Sequence, residues 1–112
     1  MKFISNAVLA AAVVLGAVTG AGSPSAHAEA AGLALAQQQN CMSCHSVTRQ
    51  FMGPALHDVA VKYAGHEDTA IYLRHKILDG SANVWGPLPM PANTQLTPNQ
   101  AATLATWILS LK

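Results

Sequence analysis

Cys41, Cys44 and His45 stand in the order Cys-Met-Ser-Cys-His, the densest cluster of reactive side chains in the 112 residues. Two thiols three residues apart share one side of a helical turn, and an imidazole follows at once. Three chemistries use such a pair. A redox dithiol expects a preceding strand and βαβ surroundings, which this chain lacks. A zinc site needs two more ligands at regular spacing, and there is no third cysteine. The pentapeptide Cys-x-x-Cys-His is otherwise the attachment signature of a c-type haem: the thiols add across two vinyl groups as thioethers, and the histidine ligates the iron.

The elements that position this motif begin after a leader. Lys2 supplies a positive charge, Ala7 to Val18 is apolar apart from Gly16, and a Gly/Ser/Pro stretch leads to Ala26-His27-Ala28. That is the layout of a secretory signal peptide, residues 1–28, with cleavage after Ala28. The apolar run falls short of the about 20 residues that span a bilayer. The expected mature chain is one domain, residues 29–112, in the periplasm, with no stable membrane insertion.

A chain of 84 residues buries only about 60–65% of its unfolded surface and is marginal unless something staples it. Two cysteines cannot form both a disulfide and two thioethers, and in an exported protein they would otherwise oxidise to each other. One covalent haem c is therefore expected to be their permanent partner and a large part of the core. The acids and bases of residues 29–112 cancel, with Arg49, Lys62, Arg74, Lys76 and Lys112 against Glu29, Asp58, Glu67, Asp68 and Asp79. No basic patch points to nucleic acid.

The pattern predicts an all-α fold of about four short helices. Glu29 to Gln39 is rich in Ala and Gln, with Gly32 as a weak point. Val47 to Pro54 has no period and reads as a loop. Leu56, Val59, Ala60 and Tyr63 share a helical face that ends at Gly65. A third helix is predicted from an Asp68 N-cap, with Ala70, Leu73 and Ile77 on one side and Gly80 as its stop. Ser81 to Leu96 holds three of the six prolines and is irregular. The last helix has Thr97 as N-cap, Pro98 as first residue and Gln100 completing a capping box, with Leu104, Trp107, Ile108 and Leu111 as its buried stripe.

With these residues in place the chain resembles the class I cytochromes c, and among them the small bacterial monohaem carriers of the c-551 type. The likeness rests on Cys41-Met-Ser-Cys-His45, on Gly53-Pro54-Ala55 followed by Asp58-Val-Ala-Val-Lys-Tyr-Ala-Gly65, and on Gly80-Ser81. Its narrowest part is Val84-Trp85-Gly-Pro-Leu-Pro-Met90-Pro91. The resemblance implies Met90 as the sixth iron ligand. The flanking Pro89 and Pro91 fix the backbone there, so a thioether is held with little entropy to lose. Met42 sits inside the haem motif, and Met52 reads as packing. His57, His66 and His75 are rival ligands that the pattern places on the surface.

By the same resemblance the Pro54 carbonyl accepts a hydrogen bond from His45, which fixes its tautomer. Trp85 and Lys76 face the haem propionates, and Asn93 bonds near the methionine sulfur. Two departures stand out. Ala36 occupies the place of a phenylalanine, which leaves either a void or a repacked Leu33 or Leu35. Ala92 replaces a proline, with one extra residue before Thr97.

The implied function is a one-electron carrier between respiratory donors and acceptors, such as a quinol-oxidising complex, a terminal oxidase or a nitrite reductase. It would act as a monomer without enzymatic activity. Redox partners would dock on a rim of Met42, Phe51, Met52, Pro87, Leu88 and Pro91 at the exposed haem edge. Two alternatives keep the fold: a gas- or peroxide-binding protein with a dissociable Met90, and a haem subunit permanently docked to a larger oxidoreductase.

Overall fold

The computed structural model describes residues 11–17, 20 and 22–112. Lys2 and part of the apolar leader run lie outside the described residues. Four α-helices follow in chain order: α1 (Pro24–Gln38), α2 (Leu56–Tyr63), α3 (Thr69–Asp79) and α4 (Pro98–Leu109), with a 3-10 turn at Cys41–Ser43 between the first two. Among the described residues no strand forms, and the one β-type pairing is an antiparallel bridge between Ser81 and Met90. The fold is the all-α one expected.

α4 is the hub. The Thr97 hydroxyl accepts from the Gln100 amide at 3.1 Å and the Gln100 side-chain oxygen accepts from the Thr97 amide at 2.9 Å, closing the capping box. Its Leu104, Trp107 and Ile108 are buried, and α1, α2 and α3 all pack against it. Each such side chain contributes about 1.5–3 kcal/mol on leaving water. Leu111 lies beyond the helix end and is only half-buried.

Three local expectations change. α1 starts at Pro24 rather than Glu29, because Ser23 is a working N-cap whose hydroxyl accepts from the Ala26 amide at 3.4 Å and Pro24 is preorganised as first residue. The helix therefore runs through Ala26-His27-Ala28. Asp68 precedes α3 in the left-handed region, with φ 58° and no side-chain capping bond; aspartate tolerates that conformation better than most residues. Ala70 is exposed, leaving Leu73 and Ile77 as the inward face.

The space left by Ala36 is not a void. Ala36 is 1% exposed, with Leu33 and Leu35 partly buried against the same core. Gly32 lets α1 approach α4 so closely that a Cβ there would overlap the Trp107 side chain. The glycine that weakens the helix locally is what seats the tryptophan.

Candidate haem site

The site is built from both ends of the 41–55 segment. Asn40 turns the chain with φ 61°, and the 3-10 turn then carries Cys41 to His45. The Cys44 and His45 amides both return to the Cys41 carbonyl, at 3.2 and 3.0 Å. The loop that follows is pinned to this turn. Gly53 donates to the Cys44 carbonyl at 2.7 Å, Leu56 to Ser46 at 2.9 Å and His57 to Val47 at 2.9 Å.

His45 Nδ1 lies 2.8 Å from the Pro54 carbonyl. A carbonyl can only accept, so Nδ1 carries the proton and Nε2 keeps the lone pair a metal needs. Gly53 completes the seat: a Cβ there would come within 2.8 Å of Nδ1 and 3.0 Å of Nε2. Any larger residue would push the imidazole out of place.

The second wall is the irregular segment after α3. Ser81 donates to the Met90 carbonyl at 3.0 Å, and Met90 donates back to Ser81 at 2.8 Å. With Pro89 and Pro91 on either side, Met90 is tied at both of its backbone groups. Gly80 makes the approach possible, both by its φ of 79° and because a Cβ would lie 2.6 Å from the Met90 carbonyl oxygen.

Between these walls lies a cavity of about 330 Å³. Cys44, His45, Pro54, Lys76, Trp85 and Met90 all line it, together with apolar Leu56, Val59, Leu73, Ile77 and Ile108. An adjoining cleft of about 440 Å³ is lined by Cys41, Cys44, His45, Met90 and Asn93. The eight residues expected at the site thus meet around two hollows that share Cys44, His45 and Met90. His57, His66 and His75 line neither. His57 and His75 are exposed beside Asp58 and Asp79, each at 3.8 Å.

Both cysteines are half-buried and unpaired with one another. Burial pushes the Cys41 thiol above its ordinary range, against a smaller opposing effect of a backbone hydrogen bond. An apolar hollow with two thiols, an imidazole of fixed tautomer and a thioether on its walls fits a haem c in its donor set.

The cytochrome c family model matches residues 29–112. The chain belongs to the cytochrome c family. It is 50% identical over 78 residues to cytochrome c-552 of Nitrosomonas europaea, covering 70% of this chain and 76% of that protein. It is 44% identical over 81 residues to cytochrome c-551 of Pseudomonas denitrificans, covering 72% and 98%. The crystal structure of wild-type Nitrosomonas europaea cytochrome c552 superposes with a TM-score of 0.70 at 49% identity, over 71% of this chain and 99% of that one. As a class I monohaem c-type cytochrome, the chain carries one haem c bound through Cys41 and Cys44.

Several features of the site were not anticipated. Lys62 Nζ stands 4.5 Å from the centre of the Trp85 ring, a cation–π contact, and Lys76 Nζ stands 5.3 Å from that of Tyr72. Tyr63 and Tyr72 meet with ring centroids 5.3 Å apart. Trp85 is 39% exposed, so it is not a core tryptophan. The signal for this cluster was available: Lys62 and Tyr63 close α2, and Tyr72 and Lys76 lie four apart on α3. Asn93 donates its side-chain amide to the Ile77 carbonyl at 2.9 Å. Of the expected rim, Met42 is half-buried against the core, and Phe51, Met52 and Leu88 are 61%, 56% and 60% exposed.

Proposed function

We propose that the protein is a periplasmic one-electron carrier in which His45 and Met90 would ligate the haem iron. The observation that carries this reading is the way both donors are held on the wall of one cavity. His45 is oriented by Pro54 and seated on Gly53, and Met90 is bound through both backbone groups to Ser81. When bound, haem c supplies a one-electron iron couple whose potential a methionine ligand and apolar burial raise.

The chain's own contribution is rigidity and exclusion. A carbonyl acceptor on Nδ1 keeps the imidazole in one tautomer and one orientation, and strengthens it as a donor. The tied strap brings the thioether to the same place whatever the oxidation state, so little has to move when an electron arrives. Leu56, Val59, Leu73, Ile77 and Ile108 keep water from the interior of the cavity. Lys76 and Trp85 line the same cavity, where a cation and an indole N–H suit a pair of carboxylates.

No helix of the described residues is long and apolar enough to cross a membrane. The leader pattern supports export, cleavage after Ala28 and a mature chain that begins at Glu29. Cleavage there would remove the Ser23 cap and shorten α1 from its N-terminal end.

The deciding experiment is the optical spectrum of the oxidised protein. Met90→Ala should abolish the methionine-to-iron charge-transfer band and open the ferrous protein to carbon monoxide, while Met52→Ala does neither. An unchanged oxidised spectrum in Met90→Ala would refute the ligand assignment.

A further inference from the structure

The loop that leads to Met90 is bonded only at its ends. Ser81 and Met90 hold each other at 3.0 and 2.8 Å, but among the described residues no backbone group from Ala82 to Pro89 finds a backbone partner. Asn83 and Gly86 bend the loop with φ 60° and 120°. Trp85 stands at its middle, 39% exposed and on the wall of the haem cavity. A large ring on an unbonded loop needs something else to keep it in place.

Lys62 provides that hold. Its ammonium, in the last turn of α2, stands 4.5 Å from the centre of the Trp85 ring and 5.8 Å from that of Tyr63. Both distances fall within the reach of cation–π attraction, about 6 Å. Tyr63 is in turn packed on Tyr72 of α3, with centroids 5.3 Å apart, so the ammonium joins the loop to the helical body. A competing partner is at hand. Asp58 lies four residues before Lys62, the spacing of an ion pair on a helix. Among the described residues Lys62 makes no ion pair, and the Asp58 carboxylate lies 3.8 Å from His57. The cation sits over the rings instead.

We propose that Lys62 is a positioning residue that holds the Trp85 indole at the cavity wall, and with it the hydrogen bond that the indole N–H offers a haem carboxylate. The inference rests on haem c filling this cavity with its carboxylates toward Trp85 and Lys76. Lys62 then acts on the potential by way of the indole. An indole that stays in place stabilises the carboxylate charge by donating to it. One that swings away leaves that charge to favour the ferric iron.

Two measurements on the holoprotein test this. The first is exchange of the Trp85 indole proton in the reduced state, followed by nuclear magnetic resonance, and the second is the midpoint potential. Trp107, 4% exposed, supplies an internal reference for the exchange. Lys62→Met keeps the aliphatic stem and loses the charge. It should speed Trp85 exchange by about 2- to 5-fold, the worth of one exposed cation–π contact, and lower the potential. Loss of charge alone would act the other way on exchange, because a cation gathers the hydroxide that catalyses it. Lys62→Arg keeps a cation that stacks on aromatic faces and should stay within about twofold of wild type by the same measure. In a Trp85→Leu background, Lys62→Met should lower the potential by less than it does beside the indole, because the two residues are coupled.

Unchanged or slower Trp85 exchange in Lys62→Met would overturn the proposal. So would a Lys62→Arg protein as fast as Lys62→Met, or potential shifts that simply add in the double variant. Failure of the haem reading beneath it looks different: Trp85→Leu alone would then leave the potential where it was, whatever the exchange rates show.

Discussion

Gly32 in α1 sets two effects of opposite sign against each other. Judged by helix propensity alone, Gly32→Ala stabilises a helix interior by about 1 kcal/mol at most. The structure reverses the sign. The new Cβ would overlap the Trp107 side chain. That ring is 4% exposed and is backed by Ala36, Leu104 and Ile108 in the same cluster, so it has no free space to enter. Overpacking of this kind costs about 1–3 kcal/mol, and overlap with a rigid ring belongs at the upper end. The net loss should be about 2 kcal/mol, which for a domain of this size lowers Tm by about 8–16 °C. Thermal unfolding of the holoprotein by far-ultraviolet circular dichroism reads this directly. The partner experiment removes the obstacle: in a Trp107→Leu background Gly32→Ala should be neutral or stabilising, and the double-mutant cycle should show coupling of about 2 kcal/mol. A Gly32→Ala protein as stable as wild type would refute the packing argument and leave propensity in charge.

Burial first, and the neighbouring Tyr72 second, push the Tyr63 phenol up to about 12. An unfolded tyrosine ionises near pH 10, so the contribution of this neutral phenol is complete below pH 10 and is lost as pH rises toward 12. Denaturation midpoints should fall across that window, and Tyr72→Phe should bring the Tyr63 titration, followed by ultraviolet absorbance, part of the way down; no movement in Tyr72→Phe would leave burial as the sole cause. Cys41→Ala with Cys44→Ala should give a largely unfolded chain by circular dichroism, because a domain this small is near the limit of independent stability; a cooperative thermal transition in that protein would contradict the expectation. Leu88, 60% exposed and lining the same cavity as the exposed Met52, should matter to docking: Leu88→Lys should slow reduction by the protein's electron donor several-fold with an unchanged spectrum and little dependence on salt. A steep salt dependence with Leu88→Lys inert would place recognition on Lys62, Arg74 and Lys76 instead.

Those features that depend on neighbours in sequence were legible before any coordinates. Cys41 to His45 is a local chemical unit, Thr97-Pro98-Asn99-Gln100 is a local capping unit, and the structure places both as expected. The stretch from Ser81 to Leu96 announced its irregularity through its prolines. Other features depend on what arrives from elsewhere in the chain. Gly32 reads as a weak helix position until Trp107 is set against it, and Gly53 reads as a turn residue until the imidazole of His45 lies on it. Ser23-Pro24 is a valid helix start that a leader pattern obscured. Asn93 was placed at the site by resemblance, but its partner Ile77 lies 16 residues away and nothing in the spacing names it.

The strap that presents residue 90 is held by bonds to backbone atoms: Ser81 to the residue's own amide and carbonyl, and Asn93 to the end of α3. None of these ties reads the side chain at position 90. The position is therefore a socket, in which the donor atom can be exchanged while its mounting stays in place. Histidine or lysine there would offer nitrogen where methionine offers sulfur, with the loop, the bridge to Ser81 and the helix end unaltered. A lineage could move the potential of such a carrier across a wide range by one codon, without first solving a new folding problem.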